Sequence, residues 1–171
     1  MRRRIFYVLA AISLFAAGCN EPDDGNHTDP ITIYEKIDGQ WSLMSLKMVD
    51  EVAKASNIQP NEQNLSALFN YEDFKIKFNV DANNNPTTYE VIGDVPPLFE
   101  PSGYWVLSSA FQQADAGAIK ILLCKDAART QVTDVLRITS VPGSNNEMEI
   151  QLNRQSGGVP FVSYIFKLGS N

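Results

Sequence analysis

The sequence is poorest in the residues that carry most enzyme chemistry. It contains one histidine, His27, and two cysteines, Cys19 and Cys124, among 171 residues. His27 precedes the first predicted strand, so a Ser-His-Asp or Cys-His site would have no base within the folded region. One histidine and one free cysteine also cannot complete a zinc site with the usual histidine and cysteine ligands. The sequence therefore predicts a protein without enzymatic activity, metal or cofactor.

Two acidic patterns are explained better by local structure than by chemistry. The segment that starts at Asp81 (Asp-Ala-Asn-Asn-Asn) opens like a calcium loop, but its sixth position is Pro86 instead of glycine and its twelfth is Ile92 instead of glutamate. An Asx-rich hairpin turn explains these residues. The pairs 50–51 and 72–73 supply neighbouring carboxylates, whereas a glycosidase needs two carboxylates facing each other across a cleft. A hydrolase is accordingly the weakest hypothesis.

Positive charge is also scarce. The chain has 14 basic and 20 acidic residues, a net charge of −6. Three of the basic residues, Arg2 to Arg4, would be removed with residues 1–18, leaving 11 basic residues against 20 acidic ones and a net charge of −9. This charge argues against nucleic-acid binding, which requires clustered basic residues. Peripheral binding to anionic lipid is disfavoured for the same reason.

The longest apolar run in the opening segment is short and lies close to the start of the chain. It covers 5–15, follows three arginines and precedes Ala-Ala-Gly-Cys19. Eleven residues cannot span ~30 Å of hydrocarbon as a helix, but they are typical of an export signal. The small residues before Cys19 resemble a bacterial lipobox. That resemblance implies cleavage before Cys19, with stable anchoring through two or more acyl chains on this residue. The alternative is an ordinary secretory signal with an incidental cysteine.

The residues after Cys19 indicate where the anchored protein resides. Residues 20–24 are acidic and resemble the surface-export signal of Bacteroides-type lipoproteins, although a solvated linker has the same composition. We therefore expect a protein anchored in the outer membrane, at the cell surface or alternatively at the periplasmic face. The predicted organisation is a signal peptide over 1–18, an acidic tether over 19–37 and a domain over 38–171. Residues 31–34 could instead add an edge strand or pack on the domain.

The remainder of the chain alternates apolar and polar residues in short segments, which is the pattern of half-buried strands. A first strand follows Gly39-Gln40-Trp41. The other predicted strands cover 74–80, 87–93, 104–109, 118–125, 132–141, 147–153 and 162–168. Between the first two strands, 50–73 shows helical spacing after a plausible N-cap at Asp50, and a second helical turn near Leu65. Eight strands joined by hairpins predict an all-β, antiparallel up-and-down barrel, whose interior is filled or holds one small ligand.

Gly39-Gln40-Trp41 and the long first loop resemble the lipocalin pattern. This resemblance implies that Trp41 closes one end of the barrel under an arginine, for which Arg137 and Arg154 are both candidates. The layout from the lipobox to the closing strand is similar to a family of lipocalin-like lipoproteins from Bacteroides-type bacteria, a domain of unknown function. It implies the fold and the location of the protein and leaves its activity open.

Aromatic residues are the remaining indication of a binding site. Six of them could line a barrel mouth or form a platform for sugars, although ordinary core packing explains each one: Tyr71, Tyr89, Phe99, Tyr104, Trp105 and Phe111. The strand 104–109 has apolar residues on both faces, so its outer face needs cover from 50–73, from 94–103 or from a partner protein. Cys124 is interpreted as a buried thiol.

Two functions follow from these features. The first is a non-enzymatic binding module that holds a small apolar or amphipathic ligand in or at the mouth of the barrel. The alternative is a subunit of an outer-membrane nutrient-uptake system that contacts a glycan or a protein partner.

Overall fold

In the computed structural model, residues 30–111 and 119–170 are described. Cys19, the predicted signal peptide and most of the predicted tether lie outside the described residues. The elements in chain order are α1 Ile33–Ile37, β1 Gly39–Asp50, α2 Glu51–Ala55, β2 Glu62–Asn64, a 3₁₀ turn Tyr71–Asp73, β3 Lys75–Val80, β4 Pro86–Ile92, β5 Ser102–Leu107, β6 Lys120–Cys124, β7 Val132–Ser140, β8 Glu147–Ser156 and β9 Val159–Ser170.

The strands form one antiparallel sheet that closes on itself. Its order is β2-β1-β3-β4-β5-β6-β7-β8-β9, and β1 also pairs with β9. Strands β1 and β3 to β9 therefore make a closed eight-stranded barrel, which confirms the predicted fold class. Closure leaves no unpaired edge on these eight strands. The ninth strand, β2, pairs only with the second half of β1, over Lys47–Val49.

Strand β1 contacts three neighbours because it is longer than the strand that follows it. Its first residues, Gly39 to Ser42, pair with β3, whereas its pairing with β9 runs from Trp41 to Asp50. The second half of β1 thus extends past the end of β3 and is free to bind β2. A register shift between Leu43 and Ser45 keeps the apolar side chains facing inward after the bulge.

The centre of the barrel is filled with large side chains. Alternate strand positions point inward, as the period of two requires. The largest fully buried residues are Trp41, Trp105, Tyr89, Phe78, Phe166, Ile37, Leu46, Ile76, Ile121, Leu123, Leu136 and Met148. Ring centroids of Phe78 and Trp105 lie 5.0 Å apart, and those of Phe74 and Phe166 lie 5.4 Å apart. Burying each such side chain contributes about 1.5–3 kcal/mol to stability.

Helix α1 covers the end of the barrel at which β1 begins, here called the helix end. Thr32 and Glu35 form a capping box, and Ile33 and Ile37, one turn apart, are buried in the core. The indole N–H of Trp41 donates to the carbonyl of Ile37 at 2.7 Å. The predicted tether therefore ends earlier than residue 37. The compact unit begins at Ile31, and the segment packs on the domain as a helix rather than as an edge strand.

The opposite end, here called the mouth, is formed by the connections 50–74, 93–101, 125–131 and 157–158. The first connection contains the predicted helix α2, whose N-cap Asp50 accepts hydrogen bonds from the backbone of Val52 and Ala53. The second predicted helical turn, near Leu65, is instead a series of turns followed by the 3₁₀ turn at 71–73. Of the helices that the structure describes, none has the length and apolar character needed to span a membrane.

Candidate functional site

The mouth is plugged by the connection between β4 and β5. Part of this connection, 95–101, here called the plug segment, reads Val-Pro-Pro-Leu-Phe-Glu-Pro, and its Phe99 is 6% exposed. The Phe99 ring lies 6.4 Å from that of Phe74 and 6.1 Å from that of Phe166. The chain's own aromatic side chain thus fills the top of the barrel, where a cup-shaped barrel would hold a ligand.

Three side chains hold the plug segment by its carbonyl groups. The hydroxyl of Tyr71 donates to the carbonyl of Pro96 at 3.1 Å, and the hydroxyl of Tyr89 donates to that of Glu100 at 2.9 Å. The guanidinium of Arg154 donates to the carbonyl of Leu98. Prolines lack a backbone N–H, so a proline-rich segment cannot join a strand ladder fully and relies on donors aimed at its carbonyls.

Burial raises the pKa of both tyrosine donors. Desolvation raises the pKa of Tyr71, and the neighbouring Tyr164 adds to the shift. The pKa of Tyr89 is also raised, first by burial and then by the negative charges of Asp134 and Glu100. Both hydroxyls therefore remain neutral donors well above pH 7.

An ion pair lies on the inner face of the barrel at the mouth. Nη1 of Arg154 lies 2.7 Å from Oδ1 of Asp134, and their side chains are 39% and 7% exposed. Asp134 precedes the inward residues Leu136 and Ile138 by the strand period of two, and Arg154 follows the inward Leu152 in the same way. Sequence reasoning missed Asp134 as a site residue, although its place in this apolar series was the available signal.

Two pockets flank the plug segment and share its residues 97–99 and 101 as a wall. The first is a small apolar pocket of ≈ 60 Å³, which also contacts Tyr71, Phe74 and Val91. The second is an open cleft of ≈ 360 Å³, which reaches Thr133 and the Asp134–Arg154 pair. The mouth thus places an apolar recess next to a polar cleft.

The structure brings three of the six aromatic candidates to the mouth. Tyr71 and Phe99 line the small pocket, and Tyr89 holds the plug segment from beneath. The other three lie elsewhere. Trp105 is in the core with its N–H on the carbonyl of Asn79, Tyr104 is on the opposite face of β5, and Phe111 is exposed at the helix end.

Neither candidate arginine lies beside Trp41. Arg154 is at the mouth: its partner on β9 is Val162, whereas that of Trp41 is Ser170, eight residues away or about 26 Å at 3.3 Å per residue. Arg137 is exposed, because it alternates with inward residues of β7. The predicted pairing is therefore corrected: the Ile37 carbonyl satisfies the Trp41 indole, and no arginine is needed.

A different arginine, Arg129, spans neighbouring strands. Strands β4 and β5 pair at only three positions, which leaves carbonyls free where the two strands separate. Arg129 donates through Nε to the carbonyl of Trp105 at 2.9 Å and through Nη2 to that of Pro86. This role could not be read from the sequence, since Arg129 lies in the connection after β6.

The remaining candidate sites have structural roles. The Asp81 carboxylate accepts hydrogen bonds from the Asn85 side chain and from the backbone N–H groups of Asn85 and Asn83, and these bonds lower the pKa of Asp81. These residues form a turn, and the described part of the chain holds no group of three or more residues suited to a metal. Cys124 is a buried free thiol, and desolvation raises its pKa, which disfavours the reactive thiolate.

Comparison with known proteins gives one match. A family model described as "Domain of unknown function (DUF5004)" matches residues 16–169. No curated protein and no solved structure matches the chain.

Proposed function

The chain belongs to the DUF5004 family, and we propose that it is a lipocalin-like, non-enzymatic binding module that takes a small amphipathic ligand at the mouth of its barrel. The main observation in support is that a polar cleft of ≈ 360 Å³ and a small apolar pocket lie on either side of the plug segment. Small-molecule sites have this character: mostly apolar walls with a few polar groups that orient the ligand.

The mouth supports this proposal better than the interior does. Trp41, Trp105, Phe78 and Phe166 occupy the centre of the barrel, so a ligand there would have to displace core side chains. At the mouth, by contrast, the cleft is already open. An apolar group would lie against Pro97 to Phe99, and a polar group would reach the remaining donors of Arg154 and the carboxylate of Asp134.

Binding of an amphipathic fluorescent probe, 1-anilinonaphthalene-8-sulfonate, tests the proposal on the full mature chain. We expect Arg154→Met to weaken probe binding about tenfold or more, because a charge-assisted hydrogen bond contributes about 1.5–3 kcal/mol. Arg137→Met is the matched control, since Arg137 is exposed on the outer face of β7. Thr133→Val removes a hydroxyl group that lines the cleft, and a moderate loss of probe affinity is expected. Equal affinities in all four proteins would contradict a site at the mouth.

The anchor is part of the same proposal. Residues 1–24 support a lipoprotein of the outer membrane, related to the lipocalin-like lipoproteins of Bacteroides-type bacteria and held by acyl chains on Cys19. Incorporation of radiolabelled palmitate should be lost in Cys19→Ser. Protease accessibility on intact cells distinguishes the cell surface from the periplasmic face, because only a surface domain is cleaved without permeabilisation.

A second function, glycan contact within an outer-membrane nutrient-uptake system, is supported by exposed aromatic residues. Phe69 and Phe161 are both exposed at the mouth end and offer ring faces to a sugar. A glycan array with the mature protein tests this alternative, and Phe69→Ala should reduce any signal.

A further inference from the structure

Exposed apolar residues concentrate at the mouth end of the barrel. Of the large apolar side chains that are exposed in the described part of the chain, most lie in or next to the mouth connections. We call this set the apolar rim: Val52, Ile58, Leu68, Phe69, Ile92, Val132, Val159 and Phe161. Of the other four, Ile31, Met44 and Phe111 lie toward the helix end, and Val135 is on the outer face of β7. Single exposed apolar residues are ordinary, but a cluster at one end of a domain marks an interaction surface.

Phe69 is presented at the rim in a strained conformation. Its φ is 56° and that of the next residue, Asn70, is 59°, so two successive residues adopt the left-handed region. A bulky residue is rare there, and residues held in such strained conformations cluster at functional sites. The Phe69 ring is 65% exposed and rests edge-on against Tyr71, with centroids 6.4 Å apart. It therefore projects from the mouth on a buried support.

The β8–β9 hairpin presents the second anchor. Gly157 and Gly158, with φ of 58° and 80°, make a tight turn, and the exposed Val159 and Phe161 follow at the start of β9, with Phe161 at the register shift between β8 and β9. Helix α2 packs against β9 next to this hairpin, through Glu51 and the buried Ser163. The contacts of β9 with β8 and with helix α2 thus support the part of the apolar rim that contains Val159 and Phe161.

The charge around the rim is negative. The mouth connections, 50–74, 93–101, 125–131 and 157–158, carry eight acidic residues against three basic ones, a net charge of −5. One of the three, Arg129, is engaged with backbone carbonyls. An anionic lipid surface or a nucleic acid would be repelled by this charge, whereas a protein surface with basic residues would be attracted.

We propose that the apolar rim is a docking surface for a partner protein that presents an apolar patch surrounded by lysine and arginine residues. In interfaces of this kind, polar residues of complementary charge surround a central apolar or aromatic anchor. Here Phe69 and Phe161 are the anchors, and the surrounding carboxylates select the charge of the partner. The inference does not depend on a small ligand in the cleft.

Site-specific photo-crosslinking in intact producing cells tests this inference. Benzoylphenylalanine replaces Phe69, Phe161 or Phe111 in the full chain, one at a time. Phe111 is the matched control, because it is an aromatic residue of similar exposure to Phe161, 49% against 45%, at the other end of the barrel. We expect the first two proteins to give the same discrete protein adduct and the Phe111 protein to give none.

Charge reversal supplies the second readout. Glu72→Lys combined with Asp73→Lys should reduce the adduct at least fivefold, and mass spectrometry should locate the crosslink in a lysine- and arginine-rich region of the partner. An adduct of equal yield from Phe111, adducts with lipid alone, or no adduct from both mouth positions would overturn the proposal. Yield of folded protein is checked by protease resistance, and two independent positions keep the result from depending on one substitution.

Discussion

The substitution Phe99→Ala tests directly whether the plug segment is part of the core. Phe99 is 6% exposed and has two aromatic neighbours with centroids within 6.4 Å. Phenylalanine-to-alanine substitutions in cores cost about 3–5 kcal/mol, and the cost is lowest where the site can collapse. Because Phe99 lies in a loop beside an existing pocket, we expect the lower end, about 3 kcal/mol.

Urea denaturation followed by tryptophan fluorescence measures this loss. The chain has two tryptophans, Trp41 and Trp105, and both are fully buried, so their emission reports unfolding of the barrel. A loss of about 3 kcal/mol should also lower the melting temperature by about 6–12 °C for a domain of this size. Phe111→Ala is the control and should stay within about 0.5 kcal/mol, because its side chain is exposed.

The result that refutes the reasoning is a small effect. If Phe99→Ala costs less than about 1 kcal/mol, the Phe99 ring does not anchor the segment in solution, and the barrel is open at the mouth. Such a result would move the proposed ligand from the cleft into the space beneath the segment.

Three further predictions use the same denaturation assay or NMR. Gly93→Ala should cost about 1–3 kcal/mol, because φ is 117° and an added Cβ would lie 2.5 Å from the Asp73 carbonyl, whereas Gly143→Ala meets nothing closer than 3.9 Å and should be neutral. Tyr89→Phe removes the bond to Glu100 and should cost about 1 kcal/mol at pH 8. Since the folded-state pKa of Tyr89 is raised, this stabilisation is complete below the unfolded pKa of about 10 and is lost as the pH rises further. The free energies of unfolding of wild type and Tyr89→Phe should therefore converge near about pH 11. Asp81 accepts hydrogen bonds from Asn85 and Asn83 in its turn, and Asp126 accepts them from Gln131 and Thr130 in the connection after β6; these bonds lower both pKa values, so both carboxyls should titrate below about 3.9 by NMR. Their contribution to stability is present above that pH and is lost as the pH falls, and a normal titration of either carboxyl would contradict its turn.

Much of the barrel could be predicted because strand alternation is a local property. The apolar series of β3, β8 and β9 appears directly in the sequence, and the count of hairpin-linked strands pointed to closure. Helix α2 was predictable from its N-cap. The extra strand β2 was not predictable, since its three residues are all polar and exposed. It forms only because β1 extends beyond β3, so that the second half of β1 can pair with it.

The candidate site was less predictable, because its parts are distant in the chain. Asp134 and Arg154 meet across twenty residues. Arg154 also donates to a segment that begins near Val95, and Asp134 lines the same cleft as that segment. Aromatic character alone made both Phe99 and Trp105 candidates for ligand binding, although Phe99 belongs to the mouth and Trp105 to the centre of the barrel. Only the register of neighbouring strands separates such residues.

By itself, the sequence determined the strand pattern, the scarcity of residues for acid–base and metal chemistry, and the acidic charge. Each of these is a property of residue type and local spacing. Tertiary structure alone decided that helix α1 rather than an arginine covers Trp41, that the proline-rich segment fills the mouth, and that the exposed apolar residues gather there. These outcomes depend on barrel closure, which sets the end and the face of every side chain through long-range pairing.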